Sequence, residues 1–294
     1  MNTITLSDGR TLGYAEYGDP RGKPVFFFHG IPGSRVFHPP EEITKKMAVR
    51  LICVERPGYG ISTFQPGRCM TDWPCDVGRL ADALGIKKFA VAGHSGGGPY
   101  TAACACKLPD RVTAAAILSG LGPLETPEAT KGMLAINKLG FAIARYIPWP
   151  LWRLLIWQSY HQGRDDPAAI MEKDADKRPA ADTALWEKLE IRQVCYASTA
   201  EGLRNGTRGL AWDLRIVTRP WGFRLEDIRL PVYLWQGTDD NLTTSQMARY
   251  MAGKIPNCKA TFYEDEAHLL LFQHWEEILD VIRNAEFIPQ SKAT

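Results

Sequence analysis

The chain has 294 residues, of which 45% are hydrophobic and 23% are charged. This composition is typical of a globular protein, and the length suits one large α/β domain or two smaller domains. Because 35 basic residues nearly balance 33 acidic ones, the formal net charge is only +2. No run of basic residues is longer than two, so the charge pattern argues against nucleic acid as a partner and shows no general attraction to an anionic membrane.

Short apolar segments alternate with segments of helical periodicity over the first 120 residues, and the same alternation returns after residue 230. The chain opens with an alternating polar and apolar segment, residues 1–17, which turns at Asp8-Gly9. Strands are then predicted at residues 25–28, 51–54, 89–92, 114–118, 232–236 and 259–263. Helices are predicted at residues 71–84, 95–108, 244–255 and 272–285. This alternation predicts an α/β fold with a mostly parallel central sheet flanked by helices.

The segment from 120 to 230 holds 111 residues, too many for one connection between strands. Its periodicity is helical, and six of the nine tryptophans lie within it. We therefore expect an inserted helical lid, residues 123–225, above a core domain formed by residues 1–122 and 226–294. The tryptophans fit the core of such a lid better than contacts with a substrate.

The sequence has no clear targeting signal and no clear redox motif. The first residues have neither the basic start nor the apolar stretch of a secretion signal, so we expect a cytoplasmic protein. The most apolar segment, 134–160, is interrupted by charges and prolines, which argues against stable membrane insertion. Its amphipathic pattern fits packing on the core better than contact with a lipid surface, the alternative that stays open. The seven cysteines are scattered without a C-x-x-C pair, and we expect no metal and no other cofactor. A monomer or a homodimer is expected.

One predicted strand runs directly into Gly93-His94-Ser95-Gly96-Gly97-Gly98, and a predicted helix follows. This is the G-x-S-x-G pattern in the strand-turn-helix context that a nucleophilic serine requires. The glycines at 93 and 97 leave room around the strained turn that exposes the Ser95 hydroxyl. The alternative interpretation is a glycine-rich turn at the edge of a sheet.

A serine hydroxyl needs a base to accept its proton and a carboxylate to orient that base. His268 is the best of six histidines because it follows the last predicted strand, at the edge where parallel sheets place their chemistry. The polar turn after residue 236 offers Asp239 and Asp240. Spacing does not separate these neighbours; we select Asp240 and expect the other to be a turn or cap residue.

Four segments carry a further signal: His29-Gly30-Ile31-Pro32-Gly33-Ser34, Arg56-Pro57-Gly58-Tyr59-Gly60, the turn around Ser95, and Gly237-x-x-Asp240 with His268. With them the chain resembles the α/β-hydrolase fold enzymes, in particular carboxylesterase-like serine hydrolases with a helical cap. The resemblance implies that Asp240, three residues after Gly237, is the triad carboxylate. It also implies that the backbone N–H groups of Ile31 and Gly96 form an oxyanion hole, and that His29 is a structural loop residue.

The resemblance implies hydrolysis of small apolar carboxylic esters, with small to medium acyl chains, through an acyl-enzyme on Ser95. Related dehalogenases and epoxide hydrolases carry aspartate at this position, so alkyl-enzyme chemistry is not expected. Glu55 replaces the usual aspartate before Arg56, a difference that concerns a loop and not the triad. Several alternatives stay open: a proline iminopeptidase-like aminopeptidase, other triad chemistries such as metal-free haloperoxidase or perhydrolase activity, and a non-catalytic ligand-binding protein on the same fold.

Overall fold

The computed structural model describes residues 2–124 and 130–285. Its strands are β1 (Asn2–Thr5), β2 (Thr11–Gly18), β3 (Lys23–Phe28), β4 (Val49–Val54), β5 (Phe89–His94), β6 (Val112–Leu118), β7 (Val232–Gly237) and β8 (Cys258–Tyr263). They form one sheet in the order β1-β2-β4-β3-β5-β6-β7-β8. Strands β3 to β8 pair in parallel, and β1 and β2 pair antiparallel at one edge. The α/β fold with a mostly parallel sheet is therefore confirmed.

The helices of the described residues are α1 (Glu41–Lys46), α2 (Trp73–Ala83), α3 (Gly98–Lys107), α4 (Ala135–Tyr146), α5 (Trp149–Tyr160), α6 (Ala168–Met171), α7 (Ala180–Trp186), α8 (Leu189–Gly202), α9 (Arg208–Val217), α10 (Ser245–Lys254) and α11 (Leu271–Asn284). Helices α4 to α9 lie between β6 and β7, which are neighbours in the sheet. Among the residues described, none of these helices is long and apolar enough to cross a bilayer. Helix α1 is absent from the sequence-based prediction.

Both faces of the sheet are covered at its centre, which explains why the central strands β3, β5 and β6 are buried and apolar over most of their length. In β3, Phe26 and Phe28 point to one face and pack in the cluster that contains Trp73 of α2. Phe27 points to the other face and packs with Trp275 of α11. This two-residue alternation places α2, α3 and α10 on one side of the sheet and α1 and α11 on the other.

Candidate active site

The turn after β5 has the conformation that its glycines allow. Ser95 has φ of 56°, and a short 3₁₀ turn, Ser95–Gly97, leads into α3. A Cβ on Gly97 would lie 2.2 Å from the carbonyl oxygen of Phe28, and one on Gly93 would lie 2.5 Å from the carbonyl oxygen of Gly97. Both positions therefore exclude any side chain, while the left-handed Ser95 backbone costs about 1–3 kcal/mol that the surrounding packing must offset.

His268 and Asp240 meet at the carboxyl edge of the sheet. His268 lies in the loop between β8 and α11, and its Nδ1 is 2.8 Å from Oδ2 of Asp240, which follows β7. The same carboxylate accepts the backbone N–H of Leu242 and Thr243, both at 2.9 Å, and the Thr243 hydroxyl at 2.8 Å. Asp239, in contrast, is exposed. Of the two neighbouring aspartates, the structure brings Asp240 to the histidine.

Burial and charge act in opposite directions on this pair. Burial alone would lower the pKa of the His268 imidazole, but the Asp240 charge and its hydrogen bond raise it above its ordinary value. Burial would raise the pKa of Asp240, but the neighbouring His268 and the N–H and O–H donors of Thr243 lower it. The aspartate is therefore ionised, and the hydrogen bond leaves Nε2 of His268 as the atom available for proton transfer.

The loop after β3 packs directly on the Ser95 turn. A Cβ on Gly96 would lie 2.5 Å from Cγ1 of Ile31, and one on Gly30 would lie 3.3 Å from Cβ of Ser95. The buried Arg56 guanidinium holds this loop, donating to the carbonyl oxygens of His29 at 2.5 Å and Gly30 at 2.7 Å. The residues expected to supply the oxyanion N–H groups thus lie side by side next to the serine.

The other buried histidines near the site serve as structural donors. His94 Nε2 is 2.9 Å from the backbone carbonyl oxygen of His268. Burial and the nearby His268 lower the pKa of His94 to about 3, so its neutral ring donates this bond. His29 donates from Nδ1 to the Gly30 carbonyl oxygen, at 2.8 Å, and burial lowers its pKa well below the ordinary value. His274 lies within α11, in the helix predicted at residues 272–285.

The site also contains Asp182, a residue that the sequence alone does not identify. Asp182, in α7 of the insertion, accepts the backbone N–H groups of His268 at 3.1 Å and Leu269 at 2.8 Å. The carboxylate is buried, and burial raises its pKa, although His268 and the two N–H donors act to lower it. Nothing in the local pattern around residue 182 distinguishes it from an ordinary acidic residue in a first helical turn, so no sequence signal could have identified it.

Ser95 and His268 line the same cavity, which has a volume of about 350 Å³. Phe141, Met171 and Leu214 give part of its apolar lining. Among the residues described, the lining holds no lysine, arginine, aspartate or glutamate, and Ser95 Oγ has no hydrogen-bond partner. A second cavity of about 190 Å³ shares His268 with the first. The arrangement suits an uncharged, partly apolar ligand held against the Ser95 side chain that lines the cavity.

Comparison with known proteins agrees with this architecture. A family model described as alpha/beta hydrolase fold matches residues 23–274. The chain belongs to the α/β-hydrolase fold family. This hydrolase-family chain therefore has the sheet order described above, the turn at Ser95 and the pair formed by Asp240 and His268.

Three curated relatives of this α/β-hydrolase chain have different activities in their names. A non-heme chloroperoxidase of Streptomyces lividans is 34% identical over 49% of this chain and 58% of its own length. A proline iminopeptidase of Xylella fastidiosa (strain 9a5c) is 33% identical over 37% of this chain and 36% of its own. A bifunctional esterase/perhydrolase of Acinetobacter calcoaceticus is 33% identical over 42% of this chain and 46% of its own. The matches thus span between about a third and three fifths of these relatives.

Solved structures extend the likeness to nearly the whole chain. The crystal structure of an esterase, RhEst1, from Rhodococcus sp. ECU1013 aligns with a TM-score of 0.68 at 18% identity, covering 96% of this chain and 98% of that one. At this identity the likeness concerns the fold alone.

Proposed function

We propose that this protein is a serine hydrolase of carboxylic esters, in which Ser95 is the nucleophile, His268 the general base and Asp240 the residue that orients the base. The observation that carries the proposal is the buried 2.8 Å contact between His268 Nδ1 and Asp240, formed beside the cavity that also contains Ser95. A neutral imidazole whose Nδ1–H is fixed by a carboxylate has Nε2 free to accept the serine proton.

The reaction follows from these positions. His268 takes the Ser95 proton as the oxygen attacks the ester carbonyl, and the carbonyl oxygen becomes an anion. The backbone N–H groups of Ile31 and Gly96 stabilise that anion. His268 then gives its proton to the leaving alcohol, which leaves an acyl group on Ser95. Water, deprotonated by the same histidine, hydrolyses this acyl-enzyme and restores the free serine.

The cavity supports a neutral substrate of modest size. Histidine is the only ionisable basic residue among the described residues that line it, and no aspartate or glutamate lies there. Its volume of about 350 Å³ suits a small to medium acyl chain. We further propose that residues 123–225 act as a lid over a core of residues 1–122 and 226–294. Support comes from Asn137 and Phe141 of α4, which line the cavity from the inserted helices. One relative is named an esterase/perhydrolase, and esters are substrates consistent with that name.

Ester turnover by the purified chain tests the proposal. We expect hydrolysis of p-nitrophenyl esters, with a maximum at short to medium acyl chains from acetate to laurate. Ser95→Ala should reduce turnover by at least about three orders of magnitude, because the acyl-enzyme forms on the Ser95 hydroxyl. Ser159→Ala, which changes an exposed serine of α5, is the matched control and should keep full activity. Wild-type turnover in Ser95→Ala would refute the assignment.

An aminopeptidase is the second candidate, favoured by the relative named a proline iminopeptidase. Its substrate carries an α-ammonium group, which needs a carboxylate partner when it is bound away from water. The described lining of the Ser95 cavity contains no such carboxylate, which favours the neutral ester. Cleavage of a proline anilide with no ester turnover would select the peptidase. Failure to form a covalent adduct with an organophosphonate would instead indicate a non-catalytic binding protein.

A further inference from the structure

Helices α4 and α5 expose an unusual number of large apolar side chains. Eight large hydrophobic side chains are exposed in the described part of the chain, and six of them belong to these two helices. They are Ile136, Leu139, Tyr146, Leu151, Leu154 and Trp157. We call these six residues the outer face. Their spacing of three or seven residues within each helix places them along one side of it.

The opposite side of each helix is already occupied. Both helices pack on α9, and Ala144, Trp152 and Ile156 are buried there. The Trp152 indole N–H donates to the Ala211 carbonyl oxygen of α9 at 2.8 Å, so the Trp152 side of α5 faces α9. The outer face therefore turns away from the protein. Trp157 is 52% exposed and Tyr146 is 77% exposed, so the described residues leave these rings in contact with water.

The charge of this segment has one sign. Residues 130–160 contain four cations, Lys131, Lys138, Arg145 and Arg153, and no carboxylate. None of the four makes an ion pair with a described residue, whereas Arg164, just beyond the segment, pairs with Asp165. The Arg145 guanidinium lies over the Tyr146 ring at 5.5 Å, at the end of the outer face. A net charge of +2 for the whole chain thus includes a local excess of four positive charges.

We propose that the outer face of α4 and α5 docks on the surface of an anionic phospholipid bilayer. Exposed leucines and a tryptophan supply apolar area that reaches the headgroup region, and lysines and arginines that pair with no described carboxylate attract the lipid phosphates. An exposed apolar patch that is accompanied by cations without described carboxylate partners has no role in the fold of a monomer in water. The sequence-based expectation from total charge misses it because the four cations are spread over 23 positions rather than gathered in a run.

A second copy of the chain fits this surface less well. Two outer faces placed together would bring eight cations close to one another without a carboxylate from either segment. Like charges at that distance repel, and burial would remove the water that screens them. An anionic bilayer presents the opposite sign to every one of these side chains, so charge complementarity favours the lipid surface.

Flotation of the full chain with vesicles tests the proposal. The probes are vesicles of phosphatidylcholine alone and of phosphatidylcholine with about 30% phosphatidylglycerol. We expect binding to the anionic vesicles only, and a loss of at least about 25-fold in affinity for Lys138→Glu/Arg153→Glu, because two attracted cations are lost and two repelled carboxylates are added. The matched control is Arg79→Glu/Lys87→Glu, which reverses two exposed cations away from α4 and α5 and should bind within about twofold of wild type.

A second pair of variants separates the apolar contribution from charge. Leu139→Gln/Leu154→Gln should weaken binding to anionic vesicles at unchanged charge, whereas Leu189→Gln, at an exposed leucine of α8, should not. The emission of Trp157 should shift to shorter wavelength on binding, and the shift should disappear in Trp157→Phe. Equal binding to both vesicle types, or equal loss in test and control variants, would overturn the proposal. So would a dimer in sedimentation that the outer-face variants dissociate.

Vesicle binding can be measured whether or not the chain hydrolyses esters. Lys138 and Arg153 do not line the Ser95 cavity, so their variants should hydrolyse a dissolved short-chain ester at the wild-type rate. An equal fall in that rate and in vesicle binding would indicate misfolding and overturn the charge assignment. Loss of vesicle binding with normal hydrolysis is the expected result.

Discussion

Helices α7 to α9 and helices α4 and α5 belong to the same insertion, but they meet their surroundings through different chemistry. The first group carries buried carboxylates that hold core groups. Asp182 accepts the N–H of His268, and Asp213 binds the guanidinium groups of Arg56 and Arg68. The second group packs on α9 through apolar side chains and leaves its outer face in water.

This difference determines how precisely each group is placed. A buried carboxylate is strongly unfavourable unless its donors stand in the right positions, so Asp182 and Asp213 specify distance and direction. Apolar contacts are non-directional and allow small shifts at little cost. We infer that α7 to α9 fix the geometry around Ser95, and that α4 and α5 are free to carry a surface with another purpose.

Removal of the Asp213 charge should give the largest effect on stability. Asp213 lies in α9, its oxygens bind Arg56 Nε at 2.7 Å and the Tyr100 hydroxyl at 2.7 Å, and Arg68 binds there too. Asp213→Asn would leave two buried guanidinium groups without a counter-charge, at a cost of about 3–5 kcal/mol in the free energy of unfolding. Urea denaturation followed by circular dichroism measures this change.

The matched control for that variant is Asp165→Asn. Asp165 also pairs with an arginine, Arg164 at 2.8 Å, but both side chains are mostly exposed. Water and salt screen such a pair, so the denaturation midpoint should not move measurably. If the two variants unfolded at the same urea concentration, the distinction between the two groups of helices would fail.

Asp182→Asn should have the next largest effect, and it should act on catalysis. An amide has one acceptor oxygen for two N–H donors, so either His268 or Leu269 would lose its partner. The displaced histidine loop should lower kcat by about 10- to 100-fold, because small shifts of a catalytic base are costly. Asp176→Asn, an exposed aspartate before α7, is the control and should keep the wild-type kcat.

The pH profile separates a positioning role for Asp182 from a merely structural one. Burial acts to lower the pKa of His268, but the charge and hydrogen bond of Asp240 outweigh this effect and raise the pKa. The Asp182 charge adds to the increase. Activity needs the neutral imidazole, so kcat/KM should fall on acidification through a pKa above the ordinary 6.5. Without the Asp182 charge, that acidic limb should move to lower pH. An unshifted limb together with a reduced kcat would mean that Asp182 only supports the fold.

The residues of the proposed triad and the buried carboxylates of the insertion also differ in how well the sequence predicts them. Ser95 is predictable because its turn is local: a strand, five residues of fixed spacing and a helix stand together in the chain. Asp240 is narrowed to one of two neighbours by the position of its strand, and the resemblance favours it over Asp239. These signals depend on short-range backbone geometry, which a sequence pattern records directly.

The buried carboxylates are not predictable in this way. Asp182 meets His268 from 86 positions away, and Asp213 meets Arg68 from 145 positions away. Neither aspartate belongs to a motif, and only the packing of the insertion on the core decides that each is buried. Helix α1 is missed for another reason, since its six residues are too few to establish a period.

The smallest effect should come from the outer face itself. Leu154 is 48% exposed, whereas Ile156, two positions later on α5, is 5% exposed and belongs to the buried cluster that includes residues of α9. Leu154→Gln should therefore change the free energy of unfolding by less than about 0.5 kcal/mol. Ile156→Gln should cost about 2–4 kcal/mol, because it places an unpaired amide among apolar side chains. If Leu154→Gln were as destabilising as Ile156→Gln, the leucine would be needed for the fold, and a surface reserved for lipid would have no basis.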